Sequence, residues 1–298
     1  MRQSNGVRVM ATPGGVMSSA RFLTRAVSWR LKAAARFVRN RFGYDISVKI
    51  KRATNYAQDL SVGGIFNYFP YWHTKMTIEG RSYGGPADYA TERISILNVP
   101  ELHQLVDFHD KTVLELGPLE GGNTIKLCEA GVAQVVAIEG RVENYVKCCV
   151  TRNLCDLRNA HFILDDVMNI SPAKYGCFDI AFCAGLLYHL DRPGELLRNL
   201  SAMTNTLVLA THYADEMSPS SFARVSEFSI AGKSYRGKLY REGPLEDPNS
   251  GLQAQSLWLF EEDLIRLCRD VGYSNVTVVK KNPITEEAYK LIYLVAHR

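Results

Sequence analysis

Residues 112–122 constrain the fold of this chain more than any other stretch. They read Thr-Val-Leu-Glu-Leu-Gly-Pro-Leu-Glu-Gly-Gly, so an apolar run with one acid, Glu115, enters a glycine-rich turn. The pattern predicts a buried strand, a tight turn and a helix that starts near Asn123. In open α/β folds, nucleotides bind at such a turn, at the carboxyl edge of a parallel sheet.

The turn itself argues against a dinucleotide ligand. The pattern G-x-G-x-x-G needs a glycine where the pyrophosphate meets the backbone, and Leu119 occupies that position here. Glu120 would add a negative charge where phosphate oxygens sit at a helix N-terminus. An adenosyl ligand with a cationic centre and an amino acid tail meets neither objection, since Glu115 could face the cation. A nicotinamide dehydrogenase is therefore a distant alternative.

Three further apolar runs follow, and each ends in polar or turn residues. Residues 135–139 end in Glu139, residues 162–167 contain Asp165 and Asp166, and residues 178–183 lead into the segment 184–189. Glu139 lies 22 positions after Gly117, a distance at which an acid can reach the hydroxyl pair of a ribose.

Helical patterns separate these strands, and a fifth strand is predicted at residues 206–213. Strict alternation of strands and helices predicts an α/β fold with a doubly wound, Rossmann-like parallel sheet. The predicted helices cover residues 123–130, 141–154 and 194–203.

The glycine turn matches the acidic-x-Gly-x-x-x-Gly signature of class I S-adenosylmethionine (AdoMet)-dependent methyltransferases, which this chain resembles. The resemblance implies seven strands, mostly parallel, with the last strand inserted antiparallel. It also implies that an Asp before a small apolar residue bonds the adenine amino group, which favours Asp166 over Asp165. The expected cofactor-binding residues are Glu115, Gly117, Pro118, Leu119, Gly121, Glu139, Gly140, Asp166, Val167, Ala184 and Tyr188.

Within this superfamily, residues 184–189 and 191–193 resemble the tRNA wobble-uridine carboxymethyltransferases, which use a carboxylated AdoMet. The resemblance covers roughly residues 65–298. It implies that Tyr188 could contact the additional carboxylate, although Ala184 stands where that branch has methionine. A tRNA substrate would also need a positive protein surface.

The expected reaction is methyl transfer from AdoMet in line with the acceptor atom, for which the protein excludes water and aligns the reactants. His189 and His212 follow the fourth and fifth predicted strands and are the candidate bases; each could instead be a structural histidine. We expect O-methylation of a small-molecule, glycan or lipid acceptor. The alternatives are a tRNA-modifying transferase and a non-catalytic AdoMet-fold binding protein.

Two regions outside the predicted sheet offer acceptor contacts. The polar insert at residues 214–257 is predicted to be a lid, in which Arg236 and Arg241 could clamp a phosphate or carboxylate, or lie solvated. The stretch 53–110 is unusually aromatic and is predicted to cap the sheet. The remaining candidate substrate residues are Tyr71, Trp72, His73 and Tyr213.

Charge divides the chain between an N-terminal arm and the rest. Residues 1–52 hold twelve Lys or Arg and one acid, a net +11 within a total of +4, so residues 53–298 carry −7. Residues 20–42 predict a basic amphipathic helix, which could lie on an anionic membrane surface, act as a targeting segment or dock on the domain at 111–298.

Seven cysteines, an odd number without a C-x-x-C pair, favour a reduced, cytoplasmic protein. If the predicted basic helix binds a membrane, we expect the protein to associate with it only peripherally. No residue spacing predicts a metal site.

Overall fold

The structure is a computed structural model that describes residues 61–91, 95–216, 218, 222–244, 247, 249–283 and 290–298. The chain divides into two compact units, Met1–Pro70 and Tyr71–Arg298. In the first unit the described residues form helix α1, Val62–Tyr68, whose N-terminus is capped by Ser61 through a hydrogen bond from the Gly64 amide. The predicted basic helix at residues 20–42 lies outside the described residues.

A seven-stranded sheet forms the centre of the second unit. Its strands, numbered in chain order, are β4 Thr112–Leu116, β5 Gln134–Glu139, β6 Ala160–Leu164, β7 Phe178–Ala184, β8 Thr204–Tyr213, β12 Asn275–Pro283 and β13 Lys290–His297. They lie in the order β12-β13-β8-β7-β4-β5-β6, in which β13 runs antiparallel to β8 and β12 and the other pairs are parallel. This confirms the predicted mostly parallel sheet with an antiparallel last strand.

Helices connect and cover these strands. The helices are α2 Leu102–Leu105, α3 Gly122–Glu129, α4 Val142–Leu154, α5 Pro172–Tyr175, α6 Pro193–Met203 and α7 Glu261–Asp270. On β4, Leu114 belongs to one apolar cluster and Val113 to another, because neighbouring side chains of a strand point to opposite faces. Both faces of the sheet are therefore buried, which explains the nearly continuous apolar runs of the central strands.

Two small sheets complete the second unit. One has the order β2-β1-β3 and lies within the predicted aromatic cap, with β1 Thr74–Ile78, β2 Arg81–Gly84 and β3 Ala87–Asp88. The other is antiparallel and has the order β11-β10-β9, with β9 Phe222–Ile230, β10 Lys233–Arg241 and β11 Gln255–Leu259. It lies in the predicted insert at residues 214–257, except for the last two residues of β11. The insert is thus more regular than its polar composition indicated, because Ile230 and Tyr235 are buried between solvated neighbours.

Candidate active site

A cavity of about 310 Å³ lies at the carboxyl edge of the central strands. It is lined by residues from the ends of β4, β5, β7 and β8, by the segment between β10 and β11, and by β13. The predicted site residues that line it are His73, Gly117, Leu119, Glu139, Gly140, Asp166, Val167, Ala184, Tyr188, His189 and His212. Eight predicted residues are not part of its lining: Tyr71, Trp72, Glu115, Pro118, Gly121, Tyr213, Arg236 and Arg241.

Glu139 connects the ends of two strands. Its carboxylate accepts hydrogen bonds from the Leu119 amide at 3.1 Å and the Arg141 amide at 2.9 Å. The side chain is buried, and burial raises the pKa of this carboxyl above its usual value against the lowering effect of those bonds. The carboxyl is therefore held in a fixed orientation at the cavity wall.

Backbone conformation brings the turn after β4 close to the cavity. Gly117 has a φ of +67°, and a Cβ on it would lie 3.1 Å from Leu186 Cδ1. Leu119 also has a positive φ, +58°, which an L side chain rarely adopts. Gly140 leaves room for Leu252, whose Cδ1 would lie 2.8 Å from an added Cβ. These positions suit a ligand that approaches the backbone closely.

The two neighbouring acids after β6 have different environments. Asp165 binds Lys174 and Tyr175, and the hydrogen bond from Lys174 is the main reason that its pKa falls to about 2. Asp166 lines the cavity and caps the short helix that follows through the Met168 amide at 2.9 Å. The arrangement is therefore compatible with a ligand contact at Asp166, whereas Asp165 is engaged elsewhere.

Glu115 was predicted to face a cationic ligand, and the structure does not place it there. Its side chain is 2% exposed and accepts a hydrogen bond from Thr124 Oγ1 at 2.6 Å. Burial raises its pKa to about 8, so the group is mainly uncharged at neutral pH. The Glu115 side chain is directed toward α3, on which Thr124 lies, and it is not part of the cavity lining.

Glu120 does not present its charge at the turn, where it was predicted to repel phosphate oxygens. Glu120 is fully buried, and Lys147 Nζ lies 3.1 Å from its Oε1. The same carboxylate accepts hydrogen bonds from the amides of His73 and Thr74, at distances of 2.6 to 3.0 Å. Its charge is therefore neutralised inside the protein, where it fixes the start of β1.

Histidine and aromatic rings form the other wall of the cavity. The Tyr188 ring centroid lies 4.2 Å from that of His189 and 4.4 Å from that of His212, and His212 stacks on Trp258 at 5.0 Å. Burial lowers the pKa of His212 to about 4, so its ring is neutral at physiological pH. His212 Nδ1 donates to the Lys290 carbonyl at 3.3 Å, which leaves the basic lone pair on Nε2.

His189 is paired with a carboxylate that the sequence did not reveal. Its Nδ1 lies 2.9 Å from Glu242 Oε2, and the Glu242 side chain is only 2% exposed. The pair brings together β10 and the end of β7, which are far apart in the sequence. An imidazole held in this way presents one defined nitrogen to its surroundings.

Sequence and structure comparisons identify the class of protein. A family model described as "Methyltransferase domain" matches residues 114–206. The crystal structure of the N-terminal domain of EvdMO1 in the presence of SAH (S-adenosylhomocysteine) and D-fucose is 27% identical, with a TM-score of 0.61 over 76% of this chain and 91% of that chain. The chain is an AdoMet-dependent methyltransferase.

Further comparisons agree with this assignment. The same EvdMO1 domain with SAH bound is 26% identical, with a TM-score of 0.61 and the same coverage. A further crystal structure of EvdMO1 shares the fold, with 21% identity and a TM-score of 0.54, and the match covers 79% of this chain and 45% of that chain. No curated protein matches the sequence.

Several predicted acceptor residues of the methyltransferase have structural contacts instead. Arg236 lies over the Phe260 ring at 5.2 Å and pairs with Asp263 at 3.4 Å, so the predicted anion clamp is not formed at the cavity. Arg241 lines a shallow surface depression with Asp191. Trp72 is buried with Lys147 Nζ 5.6 Å from its ring, whereas Tyr71 is 43% exposed.

The prediction from sequence missed the cavity residues that lie outside the nucleotide-binding motifs. The missed lining residues are Tyr89, Asn123, Arg141, Arg192, residues 249–253, Leu291 and Tyr293, among others. Several of them come from the small sheets and from β13, where no residue spacing indicates a ligand. Glu242, which binds His189, was also missed. The signal that could have indicated this region was the length of the insert between β8 and α7.

Within the described ranges, no group of three His, Cys, Asp or Glu side chains is arranged to hold a metal ion. None of the helices in those ranges is long and apolar enough to cross a membrane. All seven cysteines are free, and Cys148, Cys183 and Cys268 are buried, whereas Cys177 is exposed.

Proposed function

We propose that this methyltransferase methylates a hydroxyl group of a small, sugar-containing acceptor, with His189 as the general base. The observation that carries the proposal is the His189–Glu242 pair at the wall of the cavity, at 2.9 Å. A carboxylate-bound imidazole is well suited to accept a hydroxyl proton. The similar EvdMO1 domain was crystallised in the presence of D-fucose, which supports a sugar as part of the acceptor.

The cofactor side of the cavity fits AdoMet in its chemistry. When bound, AdoMet supplies an activated methyl group on a sulfonium. Glu139 would bind the ribose hydroxyls and Asp166 the adenine amino group, while the turn at Gly117 and Leu119 would face the amino acid tail. Gly117 carries no Cβ at this turn, so a ligand could approach its backbone closely. A cavity of about 310 Å³ is within the range of small-molecule sites.

The two histidines have different roles in this proposal. His189 would take the acceptor's hydroxyl proton on Nε2 while the acceptor oxygen bonds to the methyl carbon; the bond from that carbon to the sulfonium would break at the same time, and SAH would leave. His212, neutral because burial lowers its pKa to about 4, accepts a hydrogen bond and orients a second acceptor hydroxyl. Their rings flank Tyr188, whose own hydroxyl has a pKa raised by burial and stays protonated. Together these groups exclude water and fix the acceptor.

The second candidate is a wobble-uridine-type transferase that uses carboxylated AdoMet, with Tyr188 at the added carboxylate. An added carboxylate would need a cationic partner, and the two arginines that line the cavity already bind other groups of the protein. Arg141 donates to the carbonyls of Ser250 and Gly251, and Arg192 pairs with Glu195 at 2.9 Å. A lipid acceptor, or contact of residues 20–42 with an anionic membrane, depends on the part of the chain outside the described residues.

A labelling experiment separates these acceptors. The full chain is incubated with AdoMet carrying a labelled methyl group and, in separate reactions, D-fucose, other monosaccharides, alkyl glycosides, lipid extracts and bulk tRNA. We expect label on a sugar hydroxyl, and we expect His189→Asn to retain SAH binding while losing most of the transfer. Label found only in tRNA, or transfer at the wild-type rate by His189→Asn, would overturn the proposal.

A further inference from the structure

Glu242 receives hydrogen bonds from two parts of the chain. His189 Nδ1 lies 2.9 Å from Oε2, and Ser256 Oγ donates to Oε1 at 2.5 Å. The Gly251 amide donates to Oε2 at 2.6 Å and the Ser250 hydroxyl at 3.3 Å. Burial by itself would raise the pKa of Glu242, but these hydrogen bonds, led by that from His189, hold it below the usual value. The carboxylate is thus ionised, and His189 Nδ1 is the donor.

The segment that supplies two of these donors also lines the cavity. Residues 249–253, here called the cavity loop, belong to the connection between β10 and β11 and form part of the cavity wall. On the side away from Glu242, the Arg141 guanidinium donates to the carbonyls of Ser250 and Gly251 at 2.8 and 3.1 Å. Arg141 lies two residues after Glu139, the expected ribose-binding acid, and its amide donates a hydrogen bond to the Glu139 carboxylate. The cavity loop therefore contacts Arg141 on the expected cofactor side and Glu242, the partner of His189, on the other side.

Close packing leaves this loop little freedom. A Cβ on Gly251 would lie 2.5 Å from the His189 carbonyl oxygen and 3.0 Å from Glu242 Cδ. At the other end, Leu252 packs against Gly140. A shift of the cavity loop toward or away from the cofactor side must therefore displace the carboxylate that holds His189.

We propose that Glu242 is a positioning residue that couples the seating of the cavity loop on the cofactor side to the orientation of His189. The inference rests on the proposed function, because it concerns the same base and the same cofactor. With the loop seated, Glu242 keeps His189 in the Nδ1-protonated tautomer and Nε2 carries the lone pair that removes the proton. With the loop displaced, Glu242 loses two of its donors and the imidazole loses its fixed tautomer.

The coupling is measured without an acceptor, by nuclear magnetic resonance of the full chain labelled with ¹⁵N-histidine. The His189 ring signals are assigned by their disappearance in His189→Gln, and SAH is the probe. In the wild type we expect the Nδ1-protonated tautomer and a change of its signals when SAH binds. In Glu242→Gln we expect a mixture of tautomers that SAH does not convert into one, and about three- to ten-fold weaker SAH binding by calorimetry.

Two further variants keep the test decisive. Arg141→Ala leaves Glu242 unchanged but removes the loop anchor, and it should weaken the response of His189 to SAH even if Glu242→Gln does not fold. Glu227→Gln, an exposed charge on β9, is the matched control and should behave as the wild type. SAH that binds without altering His189, or an unaltered tautomer in Glu242→Gln, would overturn the coupling alone. Failure of the wild type to bind SAH would overturn the proposed function as well.

Discussion

The Leu119 amide lies 3.1 Å from Glu139 Oε2, so the turn after β4 is fastened to the acid that ends β5. Leu119 has a φ of +58°, a conformation that costs free energy for any residue with a side chain. The bond to Glu139 offsets this cost and aligns the turn with the cavity wall. A single carboxylate thus orders the backbone on both sides of the proposed cofactor site.

Glu139→Ala should therefore weaken SAH binding more than loss of one ligand contact would. Removal of the carboxylate leaves the amides of Leu119 and Arg141 without their acceptor and frees the turn, at a cost of about 1–3 kcal/mol, or roughly 5- to 150-fold in affinity. Calorimetric titration with SAH measures the change. Glu129→Ala, an exposed acid on α3, is the control and should bind normally. Equal affinity of both variants would contradict the assignment.

Gly117→Ala and Gly232→Ala should separate backbone strain from ligand approach. Both glycines have a positive φ, +67° and +77°, so each substitution should lower the free energy of unfolding by about 1 kcal/mol. A Cβ on Gly117 also meets Leu186 at the cavity, whereas one on Gly232 has no described atom within 4 Å. Only Gly117→Ala should reduce SAH affinity. Similar affinity losses in the two variants would point to destabilisation as the common cause.

Glu115→Gln should stabilise the methyltransferase at alkaline pH. The folded pKa of Glu115 is raised to about 8 by burial, from a usual value of 4.5. Between these values the folded state binds more protons than the unfolded state, so the wild type loses stability as pH rises. The variant lacks this loss, so its free energy of unfolding should exceed that of the wild type by on the order of 3 kcal/mol at pH 8, but by little near pH 5. Chemical denaturation across this range measures the difference, and a gap independent of pH would refute it.

His212→Asn should change the acid side of the stability profile. The folded pKa of His212 is lowered to about 4 by burial, so between pH 6.5 and 4 the unfolded state binds the additional proton. The free energy of unfolding of the wild type therefore decreases as pH falls through this window. In the variant this decrease should be smaller by the contribution of one proton, about 1.4 kcal/mol per pH unit. Thermal unfolding at pH 4.5, 5.5 and 6.5 tests this. A slope in His212→Asn equal to that of the wild type would contradict the prediction.

The strands and turns of the central sheet could be predicted from local sequence, because apolar runs indicate buried strands and glycines indicate tight turns. Glu139 was predicted from its distance to Gly117, and Asp166 from the resemblance to class I methyltransferases. Both line the cavity, because the carboxyl ends of parallel strands meet at one edge of the sheet. Glu115 and Glu120 were misplaced because a sequence does not tell which face of a strand or turn a lone acid occupies. Glu242 and the cavity loop could not be found, because their contacts with His189 and Arg141 arise from tertiary packing across a long insert.

The buried pair of Glu120 and Lys147 should be more important for stability than any exposed ion pair of the molecule. Both side chains have 0% exposure, and Glu120 also binds the amides that begin β1. Glu120→Ala would leave the Lys147 charge without its buried partner, which costs about 3–5 kcal/mol in comparable sites.

Glu143→Ala provides the matched control, because Glu143 pairs with the same Lys147 Nζ at 3.1 Å but is 52% exposed. Water already screens that pair, so its loss should cost about 0–1 kcal/mol. Urea denaturation of the two variants should therefore give widely separated midpoints. Because His73 lines the cavity and its amide binds Glu120, the Glu120→Ala variant should also bind SAH more weakly at temperatures where it remains folded. Equal midpoints for the two variants would contradict the prediction. They would mean that Glu143 alone is enough to stabilise the buried charge of Lys147.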